Sequence, residues 1–386
     1  PFLLTPSLDM RAMDVIIVGA GVIGCATAYC LARQGAKVLV LDKEAIGAGA
    51  SFHATGLFAP WRASADPVVN GMFDASLRLS QELLPRLKEE TGIDTLYQVG
   101  ESLRVALREQ QVEMGKALAS YPGLAGARLA YLDGDEARKL EPRLSPKVLG
   151  ALWCDRFGQL DSYRFTLALA QAAERLGAQF QTRHVIGLER RGDRLTGLRT
   201  TTGVVPCDTA VLAMGAWSAE ASAWLGMTVP VTPQKGQNMR LHWDGEPFRY
   251  LMGQIGWGHL IQRADGFLSA GSTEEEGLGL DTSVTSEARD NLMEHTLSIM
   301  PCLEMAQLVR QFAGPRPVSQ DGLPIMGPAP TLSGVYLNTG HGPSGIMLAA
   351  ASGLHMAELV LKGQSSTLDG ERYLPARFLG AARKQG

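Results

Sequence analysis

The segment Gly19-Ala20-Gly21-Val22-Ile23-Gly24 constrains this chain more than any other. It follows a β-branched apolar run, Asp14 to Val18, and opens a helical pattern from Val22 to Gln34 that Gly35 can stop. A second strand pattern, Lys37 to Leu41, completes a βαβ unit. In such a unit Gly19 permits the tight turn, Gly21 lets backbone approach a pyrophosphate, and Gly24 allows helix to pack on strand. The helix N-terminus, at Val22 and Ile23, supplies free N–H groups and partial positive charge to the phosphates. Asp42, followed by Lys43, ends the second strand 18 residues after Gly24, where a carboxylate can accept from a ribose hydroxyl. Together these predict a dinucleotide site. The same span, Val15 to Ala32, is 18 residues without a strong charge. Its glycine spacing and strand-like start argue against a membrane span.

Two later loops bear on which dinucleotide is bound. The run from Gly47 to Leu57 contains Gly49, Ala50, Ser51, His53, Ala54, Thr55 and Gly56, small or polar residues suited to the second phosphate and a ribityl chain. Near the C-terminus, Gly340-His341-Gly342-Pro343-Ser344-Gly345 links a strand, Val335 to Asn338, to a helix, Ile346 to Leu361. A helix N-terminus there can stabilise a reduced, anionic isoalloxazine. Each loop alone reads equally as an ordinary glycine turn; the three in this order favour FAD over NAD.

The 386 residues exceed what one core usually serves, which predicts two domains. A net charge of −3 provides no basic field for nucleic acid or an anionic membrane. Cys25, Cys30, Cys154, Cys207 and Cys302 form no C-x-x-C pair, which suggests a reduced, cytoplasmic protein without a metal site. Pro1 to Met13 lacks the features of a signal peptide, and Met13 reads as a more natural start than Pro1. Helical patterns at Val69 to Thr91, Glu109 to Ser120, Asp133 to Leu140, Ser162 to Leu176 and Glu287 to Met300 alternate with strand patterns, densest between Val229 and Ser272.

The chain resembles the D-amino-acid-oxidase-like flavoprotein family, whose members include glycine oxidase, sarcosine oxidase and dimethylglycine dehydrogenase. The likeness runs from about Met13 to Gly363. Besides the first loop it rests on the stretch Ala210 to Ser218, with Gly215 and Trp217, on Pro233 to Gln237, on Gly314 to Pro324, and on Gly340 to Gly345. It implies an α/β, two-domain architecture: a Rossmann-like FAD domain interleaved with a mixed-sheet substrate domain. The expected division assigns residues 13–95, 150–225 and 311–365 to the FAD domain, and 96–149 and 226–310 to the substrate domain. It also implies FAD contacts at Val185, through main-chain atoms beside the adenine, and along His341, Gly342, Pro343, Ser344, Gly345, Ile346 and Met347.

For chemistry, the resemblance makes Arg316 the grip on a substrate carboxylate, a role its flat, two-pronged guanidinium suits. A structural arginine bonding loop carbonyls is the alternative. A second arginine of glycine oxidase corresponds to Pro343 here and a tyrosine to His259, which argues against glycine itself as substrate. His259 could hydrogen-bond substrate or sense pH, or be a surface or packed histidine. Ser51-Phe52-His53 resembles the segment where dimethylglycine and sarcosine dehydrogenases bond a histidine covalently to flavin; a noncovalent histidine beside the ring is the other reading. Lys235 could assist oxygen activation or be a solvated lysine. The expected reaction is hydride transfer to flavin N5 from a secondary, N-substituted or D-amino acid, giving an imine that hydrolyses, with O2 or an electron-acceptor protein downstream. A flavin dehydrogenase of a hydroxy acid or opine, and a noncatalytic FAD-binding subunit, are the competing expectations. Oligomeric state is not readable from the sequence.

Overall fold

The computed structural model describes residues 13–60 and 66–379. The stretch before Met13, read above for a leader and a start site, lies outside the described residues. Val15–Val18 is the central strand of a six-stranded sheet, parallel to Val38–Asp42 on one side and to Ala210–Leu212 on the other. The sheet continues outward to Gln179–Thr182 beyond Val38–Asp42. Beyond Ala210–Leu212 it continues to Val335–Thr339 and then the antiparallel Ile325–Pro328.

The apolar character of the first strand follows from burial on both faces. Val15 and Ile17 pack with the helices Val22–Arg33, Ser162–Arg175 and Gly345–Lys362. Ile16 and Val18 pack against the three-stranded meander Val185–Arg191, Arg194–Thr200 and Gly203–Pro206. A strand covered on two sides carries no polar alternation, which is why its sequence reads as a continuous run. The span Val15–Ala32 is therefore strand, loop and buried helix. The long apolar helix at the C-terminus, Gly345–Lys362, is likewise mostly buried within the fold.

The second sheet has nine strands. Gln307–Ser319 forms its edge beside Val231–His242, followed by Leu268–Gly271, Trp257–Gln262, Leu251–Gln254, Gln98–Ala106, Gly150–Gln159 and Leu57–Phe58. Leu129–Asp133 pairs with Gly150–Gln159 beside that order. By strand membership, residues 150–159 and 307–319 belong to this sheet, although the expected division places 150–159 and 311–319 with the cofactor-binding half. The reason is sequence character: Asp155 and Arg156 break the apolar pattern of one strand, and Gly314, Pro315 and Pro317 that of the other.

Because Val38–Asp42 and Ala210–Leu212 flank the first strand on opposite sides, the glycine loop opens where the strand order reverses. Ligands of open α/β sheets bind in such a crevice.

Candidate active site

The glycine loop is built by steric exclusion. A Cβ on Gly24 would stand 1.9 Å from the Gly19 carbonyl oxygen, and one on Gly19 2.3 Å from the Ala213 carbonyl oxygen, with Gly19 at φ +111. These two hold the turn closed. A Cβ on Gly21 meets only the Ser51 hydroxyl, at 3.4 Å, so this position faces open space. Ser51 Oγ accepts from Val22 N–H at 2.9 Å, and Asp42 accepts from Ala20 N–H at 2.6 Å and Glu44 N–H at 2.9 Å. The acidic residue thus fixes the loop while each of its oxygens keeps a further lone pair.

A single cavity of about 600 Å³ runs from this loop to the second sheet, within the usual size of a small-molecule site. It is lined by Gly19, Gly21, Val22, Ile23, Asp42, Lys43, Gly49, Ala50, Ser51, His53, Ala54, Thr55, Gly56 and Leu57 from the first part of the chain. Val185, Gly215, Trp217 and His341 to Met347 line it from later elements, and Arg316 and His259 from the second sheet. Of the cofactor contacts expected from sequence, Gly24 is the one absent from the lining, since its part is to pack helix on strand. The segment expected as a plain loop carries a short helix, Ala50–His53. Lys43 lies 4.1 Å from the Trp217 ring centroid, a cation–π contact that ties two parts of the wall.

An FAD suits this lining. Gly215 and Gly342 both have positive φ and no atom within 4 Å of a notional Cβ, so main chain is presented bare to the cavity. His53 Nδ1 and Asn338 Oδ1, on lining residues, are buried without a hydrogen-bond partner among the described residues. Uncompensated polar atoms at a cavity wall are what a polar ligand satisfies.

On the substrate side, Arg316 Nη1 donates to the Thr273 carbonyl at 2.9 Å and Nη2 to Ser272 Oγ at 2.7 Å. A Cβ on Gly236 would overlap the guanidinium at 2.2 Å, so the glycine makes its berth. Arg316 thus bonds a loop carbonyl, and it also lines the cavity. Nη1 also donates to Gln234 Oε1 at 3.4 Å, so the guanidinium is fixed in place at the cavity wall by three neighbours.

His259 is buried, with Nε2 at 3.4 Å from Thr55 Oγ1 and 3.3 Å from Ser269 Oγ. Burial, then Arg104, Arg263, Arg316 and Arg240, push its pKa down to about 3. It is neutral at physiological pH, which corrects the expectations of a surface histidine and of a pH sensor. Lys235 also departs from expectation. It is buried and donates to Asp281 at 2.6 Å, and it does not line the cavity. With Gln237, which bonds Glu275 at 2.9 Å and Thr285 at 3.2 Å, it pins the loop that starts at Ser272.

Arg104 is the residue the sequence reading missed. It donates to the carbonyls of Gly258 at 2.6 Å, Trp257 at 3.1 Å and Gln254, and so holds the hairpin that brings Trp257 and His259 to the cavity. The available signal was an arginine inside the buried run Leu103 to Ala106.

Three buried histidines give an acid-stability prediction. His259 and His341 are pushed down to about 3 and His355 to about 4, each chiefly by burial. Their folded pKa values lie below the unfolded value, so the unfolded state takes up protons first. Stability is intact above about pH 6.5 and falls as pH drops toward the folded values, by up to about 2 kcal/mol per group at pH 5. The melting temperature is expected to fall steeply between pH 7 and 5; a flat profile there contradicts the assignment.

Fold and site together define a flavin-dependent oxidoreductase. Residues 14–359 match the FAD dependent oxidoreductase family, and the chain belongs to that family. It is 34% identical over 382 residues to glycine oxidase of Pseudomonas aeruginosa, covering 94% of this chain and 98% of the relative. Its structure is similar to that of glycine oxidase from Geobacillus kaustophilus, with TM-score 0.86, 28% identity and 94% and 98% of the two chains covered. It is also similar to iminodiacetate oxidase from Chelativorans, with TM-score 0.84, 26% identity and 94% and 99% covered. The chain is an FAD-dependent amine or amino-acid oxidoreductase.

Proposed function

We propose that the substrate is a carboxylate-bearing secondary, N-substituted or D-amino acid, seated with its carboxylate on Arg316. The observation that carries this reading is that Arg316 lines the same cavity as the glycine cradle, in a region where Arg104, Arg240 and Arg263 also act on His259. Such a field favours an anionic substrate over a simple amine or a cation. Bound FAD supplies the redox step, accepting hydride from the carbon attached to nitrogen. The chain's own part is orientation and desolvation. Arg316 fixes one end of the substrate, neutral His259 offers a hydrogen-bonding ring, and the pinned loop from Ser272 closes the polar end. The iminium product hydrolyses to an oxo compound and the smaller amine.

Main chain at Val185, Gly215 and His341 to Met347, with Gly19 to Ile23, Asp42, Lys43 and Gly49 to Leu57, is assigned to FAD. We take the six-stranded sheet with its helices and meander as the cofactor-binding domain and the nine-stranded sheet as the substrate domain. The electron acceptor is O2 or an electron-acceptor protein. The five free cysteines suit the reducing cytoplasm. A panel of N-methyl, N-alkyl and D-amino acids, added anaerobically, tests the reading: at least one bleaches the visible flavin band, and failure of all of them refutes it. Hydrogen peroxide yield against dye reduction then separates oxidase from dehydrogenase.

His53 favours a covalent cofactor link. Its ring lies at the cavity wall with Nδ1 unpartnered among the described residues, 5.2 Å from Phe52 and 6.2 Å from Phe312 by ring centroids. Burial, with Arg310 adding to it, lowers its pKa and keeps the ring in the neutral, nucleophilic form. Acid precipitation is expected to leave yellow colour on the wild-type protein and none on His53→Ala; release of all flavin from wild type rules the link out.

A further inference from the structure

Behind His53 lies a second cavity of about 280 Å³, separate in chemistry from the first. Its charged lining is four arginines, Arg164, Arg240, Arg263 and Arg310, against one carboxylate, Asp161. Its apolar walls are Phe52, Tyr163 and Phe312, none of which lines the larger cavity; Ala54 and Thr55 are shared.

Several observations show this positive charge to be poorly compensated by the protein. Arg240 and Arg310 stand directly opposite each other in the antiparallel pairing of Val231–His242 with Gln307–Ser319. Like charges at such positions destabilise a sheet. Arg240 Nη1 is buried without a hydrogen bond among the described residues, and the carboxylate it pairs with at 3.6 Å, Asp265, is half exposed. Arg310 is exposed and makes no ion pair among the described residues. Arg263 is held by the carbonyls of Thr55 at 3.0 Å and Leu160 at 2.7 Å and by Gln159 at 3.0 Å. Burial and Arg240 together bring its pKa down to about 10, despite opposing pulls from Asp161 and Asp265. Asp161 itself is engaged at the N-terminus of the helix Ser162–Arg175, accepting from Arg164 N–H at 2.9 Å.

We propose that this cavity binds a small organic anion carrying a phosphate or carboxylate group and an aromatic portion. The anion would lie between Arg240 and Arg310, with Arg263 beneath and its aromatic part against Phe52, Tyr163 and Phe312. The arginines offer forked, charge-assisted donors. The site is distinct from the substrate seat, because Arg316 does not line it.

Isothermal titration of the holoenzyme with inorganic phosphate and with phthalate, at ionic strength matched by chloride, tests the proposal. Both are expected to bind saturably, phthalate more tightly. Arg310→Gln should weaken both about tenfold or more through loss of one charge-assisted contact. In anion-free, low-salt buffer the same substitution should raise the melting temperature by about 1–3 °C, because a repulsive cross-strand pair is removed. Arg316→Met should leave the binding in place, even where it abolishes amine oxidation. Absence of binding beyond the chloride control overturns the proposal. So does binding that survives Arg310→Gln or is lost only in Arg316→Met, and so does a lower melting temperature on removing the Arg310 charge.

Discussion

Replacing Arg316 by methionine is expected to lower kcat/KM for a carboxylate-bearing amine by about 10²–10³-fold, the effect of removing one partner of a buried charge pair. Methionine keeps much of the length and the apolar stem but loses every donor. The size of the loss follows from what else the guanidinium does. It donates to the Thr273 carbonyl and to Ser272 Oγ, so its removal both empties the proposed carboxylate seat and loosens the start of the pinned loop. Arg316→Lys separates the two effects. An ammonium can satisfy one of those contacts but cannot present a flat pair of donors, so it should restore the loop better than the substrate affinity. Steady-state kinetics on carboxylate substrates and their amide analogues gives the answer. An equal response of acid and amide in Arg316→Met shows that the residue is only structural.

The second large effect is expected at Gly21, and its contrast with Gly24 is the informative part. A Cβ at Gly21 meets only the Ser51 hydroxyl, at 3.4 Å, and the residue sits at φ −72, ψ 177, which any amino acid adopts. Gly21→Val should therefore fold, yet project two methyl groups into the space reserved for a phosphate. FAD affinity should fall about 10²-fold, as an overlap of roughly 3 kcal/mol gives, and the purified protein should be soluble and nearly colourless. Gly24→Val instead drives a side chain into the Gly19 carbonyl at 1.9 Å and should fail to accumulate as folded protein. Circular dichroism with flavin content measured on both variants decides. A yellow Gly21→Val protein would mean that phosphate does not approach there.

Sequence reading reached the cofactor side further than the substrate side, and the reason is physical. A glycine that must admit backbone or phosphate leaves a fixed spacing, and the strand Val15–Val18, buried on both faces, leaves an unbroken apolar run. Those signals are local. Arg104, by contrast, acts through carbonyls of Gly258 and Trp257, more than 150 positions away, and only the pairing of Leu251–Gln254 with Gln98–Ala106 brings them together. Lys235 read as solvated because its partner, Asp281, lies 46 positions downstream on an irregular loop. The long edge strand Gln307–Ser319 escaped detection as a whole, since Arg310, Gln311, Gly314, Pro315 and Pro317 supply neither alternation nor continuous apolarity. The neutrality of His259 was equally hidden, for it comes first from burial and then from arginines on four separate strands or their ends.

The path of the chain between its two sheets has a consequence for how molecules get in and out. The polypeptide passes from one sheet to the other four times, after residues 42, 159, 212 and 319. Four tethers spread around a shared crevice cannot act as one hinge, so the halves do not swing apart like a clam shell. Entry and exit call instead for a local movement at the rim, where the stretch following Ser272 is fastened by the side chains of Lys235 and Gln237 and by three backbone bonds, one from Thr273 to Gln237 and a reciprocal pair between Lys235 and Glu275.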